Sequence, residues 1–235
     1  MTAFQAQAHT EYSVSLSFGS SIDEDILANI IAIHQELNET PFLGFIESVP
    51  TYTSLTIYFN PAVVMQSVMP GSTSSEKVIT YLERYEWRGF LKTSTEKTIH
   101  IPVCYDESFG IDLSDLSKEL GLTPIELIQL HSQKIYTVYM VGFTPGFPYM
   151  GTLDSGLTCK RKQTPRKEVA AGSVGIAGKQ TGVYPSATPG GWQIIGRTPL
   201  DFFSTDNNPP ALLQAGDKVK FNSISLHEFN QLKRK

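Results

Sequence analysis

Cysteine is scarce in this 235-residue chain: Cys104 and Cys159 are its only two. They allow at most one bridge, and no paired-thiol spacing suggests zinc binding or redox work. Positive charge is not in excess either. Nineteen Lys and Arg against 23 Asp and Glu leave a formal charge of −4, so no chain-wide field attracts nucleic acid or an anionic membrane. No apolar run approaches the roughly 20 residues needed to span a bilayer. The N-terminal MTAFQAQAHTEY lacks the basic cluster and apolar stretch of a signal peptide. A cytoplasmic location with free thiols is the expectation. No GxSxG elbow occurs, Cys104 has no histidine nearby, and His100, His131 and His227 each lack a second ligand at metal spacing. No complete catalytic constellation and no metal site can be read from the residues.

What is present is apolar material for a core: 40% hydrophobic residues and 11% aromatics against 18% charged, which excludes a disordered chain. Glycine divides the sequence. Residues 1–100 hold four, whereas residues 142–196 hold eleven, so two folding units of different character are expected, 1–95 and 96–235. The first part reads strand, helix, strand, strand, helix, strand. Val14, Leu16 and Phe18 alternate with serines. Ser21 and Glu24 have capping-box spacing before a stripe of Ile22, Ile26, Ile30, Ile33 and Leu37. Strands are expected over 43–49 and 53–60, and Thr73 and Glu76 announce a second helix. Ile99, Ile101 and Val103 close the series, although that strand can belong to either part. Two helices on one face of a small sheet make an α+β, ferredoxin-like unit.

A helical pair near 112–133 follows. Leu113, Leu116 and Leu120 repeat at helical spacing, Gly121 suits a left-handed C-terminal turn, and Thr123-Pro124-Ile125-Glu126 restarts a helix. Such pairs can read DNA, but the electrostatic footprint is missing. From Val138 onward, the short runs VYMVGF, SVGIAG, WQIIG and KVKF alternate with Gly and Pro turns, the pattern of a barrel or sandwich.

Four stretches carry candidate chemistry. In Gly142–Gly151, prolines and glycines stiffen a loop bearing Phe143, Phe147 and Tyr149, which is either a ligand wall or an aromatic plug. In 161–167, Arg161 and Arg166 offer donor forks suited to a carboxylate or phosphate, or simply face water. Gly178-Lys179 fails as an ATP loop, because Ser173 stands at the first glycine position and Gln180 at the magnesium-binding hydroxyl. Its glycines can still expose amides to an anion, with Lys179 or Gln180 reaching a polar ligand. In 184–198, Tyr184 and Trp192 flank a Pro189-Gly190 turn, and Arg197 is an anion anchor or the partner of Asp201. His131 is a catalytic base, a neutral hydrogen-bond partner or a helix-terminal cation. Asp106, Glu107, Asp112 and Asp115 read as turn and helix-start acids.

Longer motifs carry a specific resemblance. They are Val49–Leu55 with Asn60-Pro61, Ile101-Pro102-Val103, Val138–Tyr149 and Pro165-Arg166. Ala171–Val174, Gln180–Pro185, Pro189–Pro199 and Gly216-Asp217 complete the set. The chain resembles the KipI family, also described as the B subunit of 5-oxoprolinase or allophanate hydrolase subunit 1, over roughly residues 10–222. Ala170 departs from the proline usual before Ala-Gly-Ser. The resemblance implies a cyclophilin-like β-barrel behind the α+β domain, without inherited isomerase activity. It implies pairing with a homologous C subunit and an A subunit in a hydrolase that opens 5-oxo-L-proline to L-glutamate. ATP would then be used at the level of the complex, with no cofactor assigned to this chain alone. Tyr149, Arg161, Arg166, Gln180 and Tyr184 are expected at the substrate, and His131 as a proton shuttle. The same resemblance admits an inhibitor of a sporulation histidine kinase, or a component of an allophanate or urea amidolyase system.

Overall fold

The alternating stretches at 13–17 and 54–59 form the centre of an antiparallel sheet in the computed structural model, which describes residues 4–87 and 98–233. Strands β1 (Gln5–Thr10), β2 (Ser13–Ser17), β3 (Phe45–Pro50) and β4 (Ser54–Phe59) stand in the order β1-β2-β4-β3. Helices α1 (Glu24–Glu39), α2 (Pro61–Met65) and α3 (Ser74–Arg84) belong to the same unit. Val14, Leu16, Leu55, Ile57 and Phe59 meet Ile30, Ile33 and Leu37 of α1 and Val78 and Leu82 of α3 in one apolar core. Period two on the strands and period 3.6 on the helices bring those residues to a single layer.

Two local expectations change. Helix α1 is capped by Asp23, whose carboxylate accepts the amides of Asp25 and Ile26 at 2.8 and 3.2 Å. An anion at that end also suits the helix dipole better than the Ser21 hydroxyl. Ile22 therefore precedes the helix and is exposed. Thr73 and Glu76, by contrast, form the expected capping box. The second change concerns the closing strand. The edge beside β2 is taken by β1, a strand the polar QAQAHT does not announce, and residues 98–104 leave for the other unit.

The chain divides into residues 1–94 and 95–235; the expected boundary at 95/96 lies outside the described residues. In the second unit β5 (Thr98–Cys104), β6 (Ile135–Val141), β7 (Pro148–Gly151), β9 (Ser173–Ala177), β10 (Gln180–Val183), β12 (Gln193–Arg197) and β13 (Lys218–Ile224) close a barrel. Its order is β10-β7-β6-β13-β5-β12-β9. The β5–β13 pair is parallel, in register from Thr98–Lys218 to Cys104–Ile224. A short hairpin-like sheet of β8 (Arg166–Val169) and β11 (Thr188–Gly190) lies outside the closed ring.

Inward-facing Ile101, Val103, Val138, Met150, Val174, Ile176, Val183, Val219 and Phe221 fill the barrel. Helix α4 (Leu113–Glu119) ends at Gly121, with φ +69°, as expected. Helix α5 (Pro124–Gln133) has the Thr123–Glu126 capping box with proline in its first turn, and it packs against β13. Helix α6 (Leu226–Leu232) starts on a third capping box, Ser225 with Glu228. Among the described residues no helix is long and apolar enough to cross a membrane.

Candidate functional site on the outer wall of the barrel

Strands β9 and β10 pair with Gly175 opposite Gly182, and both lack a side chain on the outer face of the barrel. Aromatic rings occupy that bare surface. A Cβ on Gly182 would stand 2.9 Å from the Phe147 ring, and one on Gly175 would stand 3.1 Å from the Trp192 Cβ. Phe147, Val169, Ala177, Tyr184, Trp192 and Ile194 form a cluster of their own, with Tyr149 packed against it. Phe147 meets Tyr184 and Trp192 edge to face at centroid distances of 5.1 and 5.4 Å, the arrangement favoured by ring quadrupoles. The glycine-rich sequence thus supplies a flat bed, and the stiff 142–149 loop supplies the ring that lies on it.

The polar candidates gather around this bed. Arg161 lies over the Trp192 ring, 6.0 Å from its centroid. Tyr149 stands opposite Gly182. Gln180 precedes Gly182 by two residues and faces Ala177, which puts it on the same side of the sheet. Arg166 pairs with Gly190 across β8 and β11, and a Cβ on Gly190 would run into the Tyr184 phenol. Burial pushes the Tyr184 phenol above its ordinary range, although the Trp192 backbone, Arg161 and Arg166 pull the other way. Burial likewise raises Tyr149, against the opposing pull of Arg161. Both tyrosines therefore present neutral O–H groups at neutral pH. The structure brings Tyr149, Arg161, Arg166, Gln180 and Tyr184 to one face; Phe143 projects from the loop beside it, exposed and with φ +71°.

Asp112 is the residue that sequence reasoning missed. It precedes α4 but gives the helix no side-chain cap. Instead its Oδ1 accepts Arg166 Nη2 at 2.6 Å and Lys162 Nζ at 2.7 Å, while Oδ2 accepts the Ile194 amide at 2.7 Å. Its own amide donates to the Ile194 carbonyl at 2.9 Å. Only 4% of Asp112 is exposed. A carboxylate so buried is tolerable only with such partners. An acid in a local run of acids carries no sequence signal for this role, because the partners lie about 50 and 80 positions away. Arg166 keeps one nitrogen in reserve: Nη1 is buried and has no hydrogen-bond partner among the described residues.

Two other expectations resolve differently. Arg197 donates from Nε to the Ala171 carbonyl at 2.8 Å and lies over the Phe109 ring, so a carbonyl and a ring take the place foreseen for Asp201. His131 is wholly buried inside the barrel. Its Nδ1 is 2.7 Å from the Tyr105 hydroxyl and its Nε2 2.9 Å from Thr181 Oγ1, and the ring stacks on Phe221. Thr181 donates onward to the Gly175 carbonyl at 3.2 Å, so Nε2 carries the proton and Nδ1 accepts from Tyr105. Burial lowers the His131 pKa to about 3. The imidazole is a neutral hydrogen-bond partner in the core, held between Tyr105 and Thr181. Among the described residues no group of three His, Cys, Asp or Glu could hold a metal.

Cations, neutral phenols and an amide over an aromatic bed can hold a small anion. The Asp112 carboxylate beside them is already engaged. Such an arrangement defines a candidate anion-binding surface on the outside of a closed β-barrel unit. The chain belongs to the carboxyltransferase domain, subdomain C and D, family, whose model matches residues 4–213. It closely matches homologues that are B subunits of 5-oxoprolinase. It is 40% identical over 239 residues to the one from Bacillus subtilis (strain 168), covering 98% of this chain and 97% of the relative. To the one from Haemophilus influenzae it is 55% identical over 123 residues, 52% of this chain and 58% of the relative. Among solved structures, TTHA0988 superposes with a TM-score of 0.79 at 30% identity, covering 91% of this chain but 40% of that one. This chain therefore spans less than half of that longer protein.

Proposed function

We propose that this chain is the B subunit of an ATP-dependent 5-oxoprolinase, acting with a homologous C subunit and an A subunit to convert 5-oxo-L-proline to L-glutamate. The match to the Bacillus relative along nearly the whole of both chains supports the reading. The observation that carries it is the Arg161, Arg166, Tyr149 and Tyr184 cluster over Trp192, which suits a small, flat acid. On this reading the N-terminal unit is a ferredoxin-like sheet whose fourth strand place is filled by β1, and the barrel is cyclophilin-like.

The chemistry explains why binding and turnover are divided. An unstrained lactam amide is a poor electrophile. Transfer of the terminal phosphoryl group of ATP to the lactam oxygen yields ADP and an O-phosphorylated imidate. Water adds to its carbon, the ring C–N bond breaks as the departing amine takes up a proton, and a second water hydrolyses the resulting acyl phosphate to L-glutamate and phosphate. This chain's part is to hold and orient the acid beside its partner: the arginines bind the carboxylate, Tyr149 and Gln180 donate to neutral oxygens, and Trp192 covers one face of the ring. His131 holds β10 in register through Thr181 and carries no substrate proton.

ATP hydrolysis by the reconstituted three-component mixture tests this. The rate should depend on 5-oxo-L-proline and collapse when this chain is left out. Unchanged substrate-dependent hydrolysis without it would remove the chain from the reaction.

A further inference from the structure

We propose that Asp112 is a positioning residue that divides the Arg166 guanidinium, committing one terminal nitrogen to the protein and leaving the other for a single carboxylate of the ligand. The inference rests on the substrate-binding reading above and deepens it, since it states how the anion is received.

A purely structural Arg–carboxylate pair usually meets fork to fork, with two parallel N–H···O bonds. Here that geometry is blocked. The second oxygen of Asp112 is taken by the Ile194 amide at 2.7 Å, so only Oδ1 faces the arginine, at 2.6 Å from Nη2. Turning Asp112 to take Nη1 as well would break the Oδ2 bond to the Ile194 amide. Nη1 is buried with no hydrogen-bond partner among the described residues, a state that proteins rarely leave without a ligand or water to relieve it.

The charge count agrees. One carboxylate meets two cations, Lys162 and Arg166, so a positive charge is left over, and Arg161 adds a second across the Trp192 ring. A missing side chain lets a neutral phenol close in beside the arginine's strand pair. Arg166 faces Gly190 across its strand pair, and the Tyr184 phenol lies where a Gly190 side chain would stand. The carboxylate supplied by the reading above can meet Nη1 through a single oxygen, with Arg161 over the Trp192 ring as the second cation nearby.

Calorimetric titration of the full chain with its C subunit against 5-oxo-L-proline, and against 2-pyrrolidone as the same lactam without a carboxylate, tests the proposal. Arg166→Ala, Arg166→Lys and Asp112→Asn are each expected to weaken 5-oxo-L-proline binding about tenfold or more, the scale of one charge-assisted bond. The melting temperature of Asp112→Asn should fall, since its amide oxygen keeps the Ile194 amide while its NH2 turns towards the Arg166 and Lys162 donors. In an Arg166→Ala background, Asp112→Asn should cost no further affinity. 2-Pyrrolidone should not bind.

The lysine variant decides the matter even if the asparagine variant fails to fold, because an ammonium can satisfy Asp112 yet has no second fork nitrogen. Wild-type affinity in Arg166→Lys or in folded Asp112→Asn, alongside a weakened Arg166→Ala, overturns the division of the guanidinium while leaving the binding reading intact. Equal binding of 2-pyrrolidone overturns the assignment to a carboxylate. Absence of wild-type binding, or wild-type affinity in Arg166→Ala, brings down the binding reading itself.

Discussion

Gly182 lies directly under Phe147, with the ring carbons 2.9 Å from where a Cβ would stand and the Pro148 carbonyl at 2.8 Å. The contact joins β10 to the loop that enters β7, and it makes the aromatic bed dependent on the absence of a side chain. Gly182→Ala should therefore lower stability by about 1–3 kcal/mol through overpacking. Ligand affinity should fall with it, because Phe147 must tilt towards Trp192. Thermal unfolding and titration on the same variant check both parts. An unchanged melting temperature would show that the ring can move away freely.

His131 makes a pH prediction. Its folded pKa is lowered to about 3 from an ordinary 6.5, because burial disfavours the imidazolium. Between those values the unfolded chain binds a proton that the native state excludes, so stability is full above pH 6.5 and is lost as pH falls towards 3. His34, lowered in the same direction by burial, adds to the trend. Wild-type melting temperature should fall across this window, and His131→Gln should show a shallower fall. Parallel profiles would place the acid sensitivity elsewhere.

Arg161 separates binding from stability. It is exposed and meets the protein through the Trp192 ring, a contact worth about 0.5–1 kcal/mol at an exposed site. Arg161→Ala is expected to leave the melting temperature nearly unchanged and to weaken 5-oxo-L-proline binding about fivefold to tenfold. Trp192 emission, recorded in a Trp87→Phe background, should also lose its response to ligand.

The Thr123 cap supports the helix that carries His131. Its hydroxyl accepts the Glu126 amide at 3.2 Å, and the Glu126 carboxylate accepts the Thr123 amide at 2.7 Å. Thr123→Ala removes half of that exchange and should cost about 1 kcal/mol, measured by urea unfolding. Thr123→Ser should restore most of it.

Local rules are legible along the chain. Period two marks β2 and β4, period 3.6 marks α1 and α3, and the two Thr–Glu pairs mark helix starts, because each depends on residues within a turn or a pleat of one another. The α1 cap lies two residues beyond the position its spacing suggests, since serine and aspartate compete for that role and only the geometry shows which oxygen reaches the amides. The QAQAHT pattern of β1 carries almost no apolar signal; pairing with β2 makes it a strand.

The glycine and proline content of 142–196, read with the motifs it contains, determined by itself that a β-rich unit with stiff loops follows an α+β unit, and to which family the chain belongs. Which face those loops share was decided by closure of the barrel, which sets Gly175 against Gly182 and so gathers Tyr149, Gln180, Tyr184 and Trp192 on the outside while sealing His131 within. The Asp112–Arg166 contact belongs to the same class. Short-range propensity acts over a few residues, whereas a buried charge finds its partner only when distant strands have closed around it.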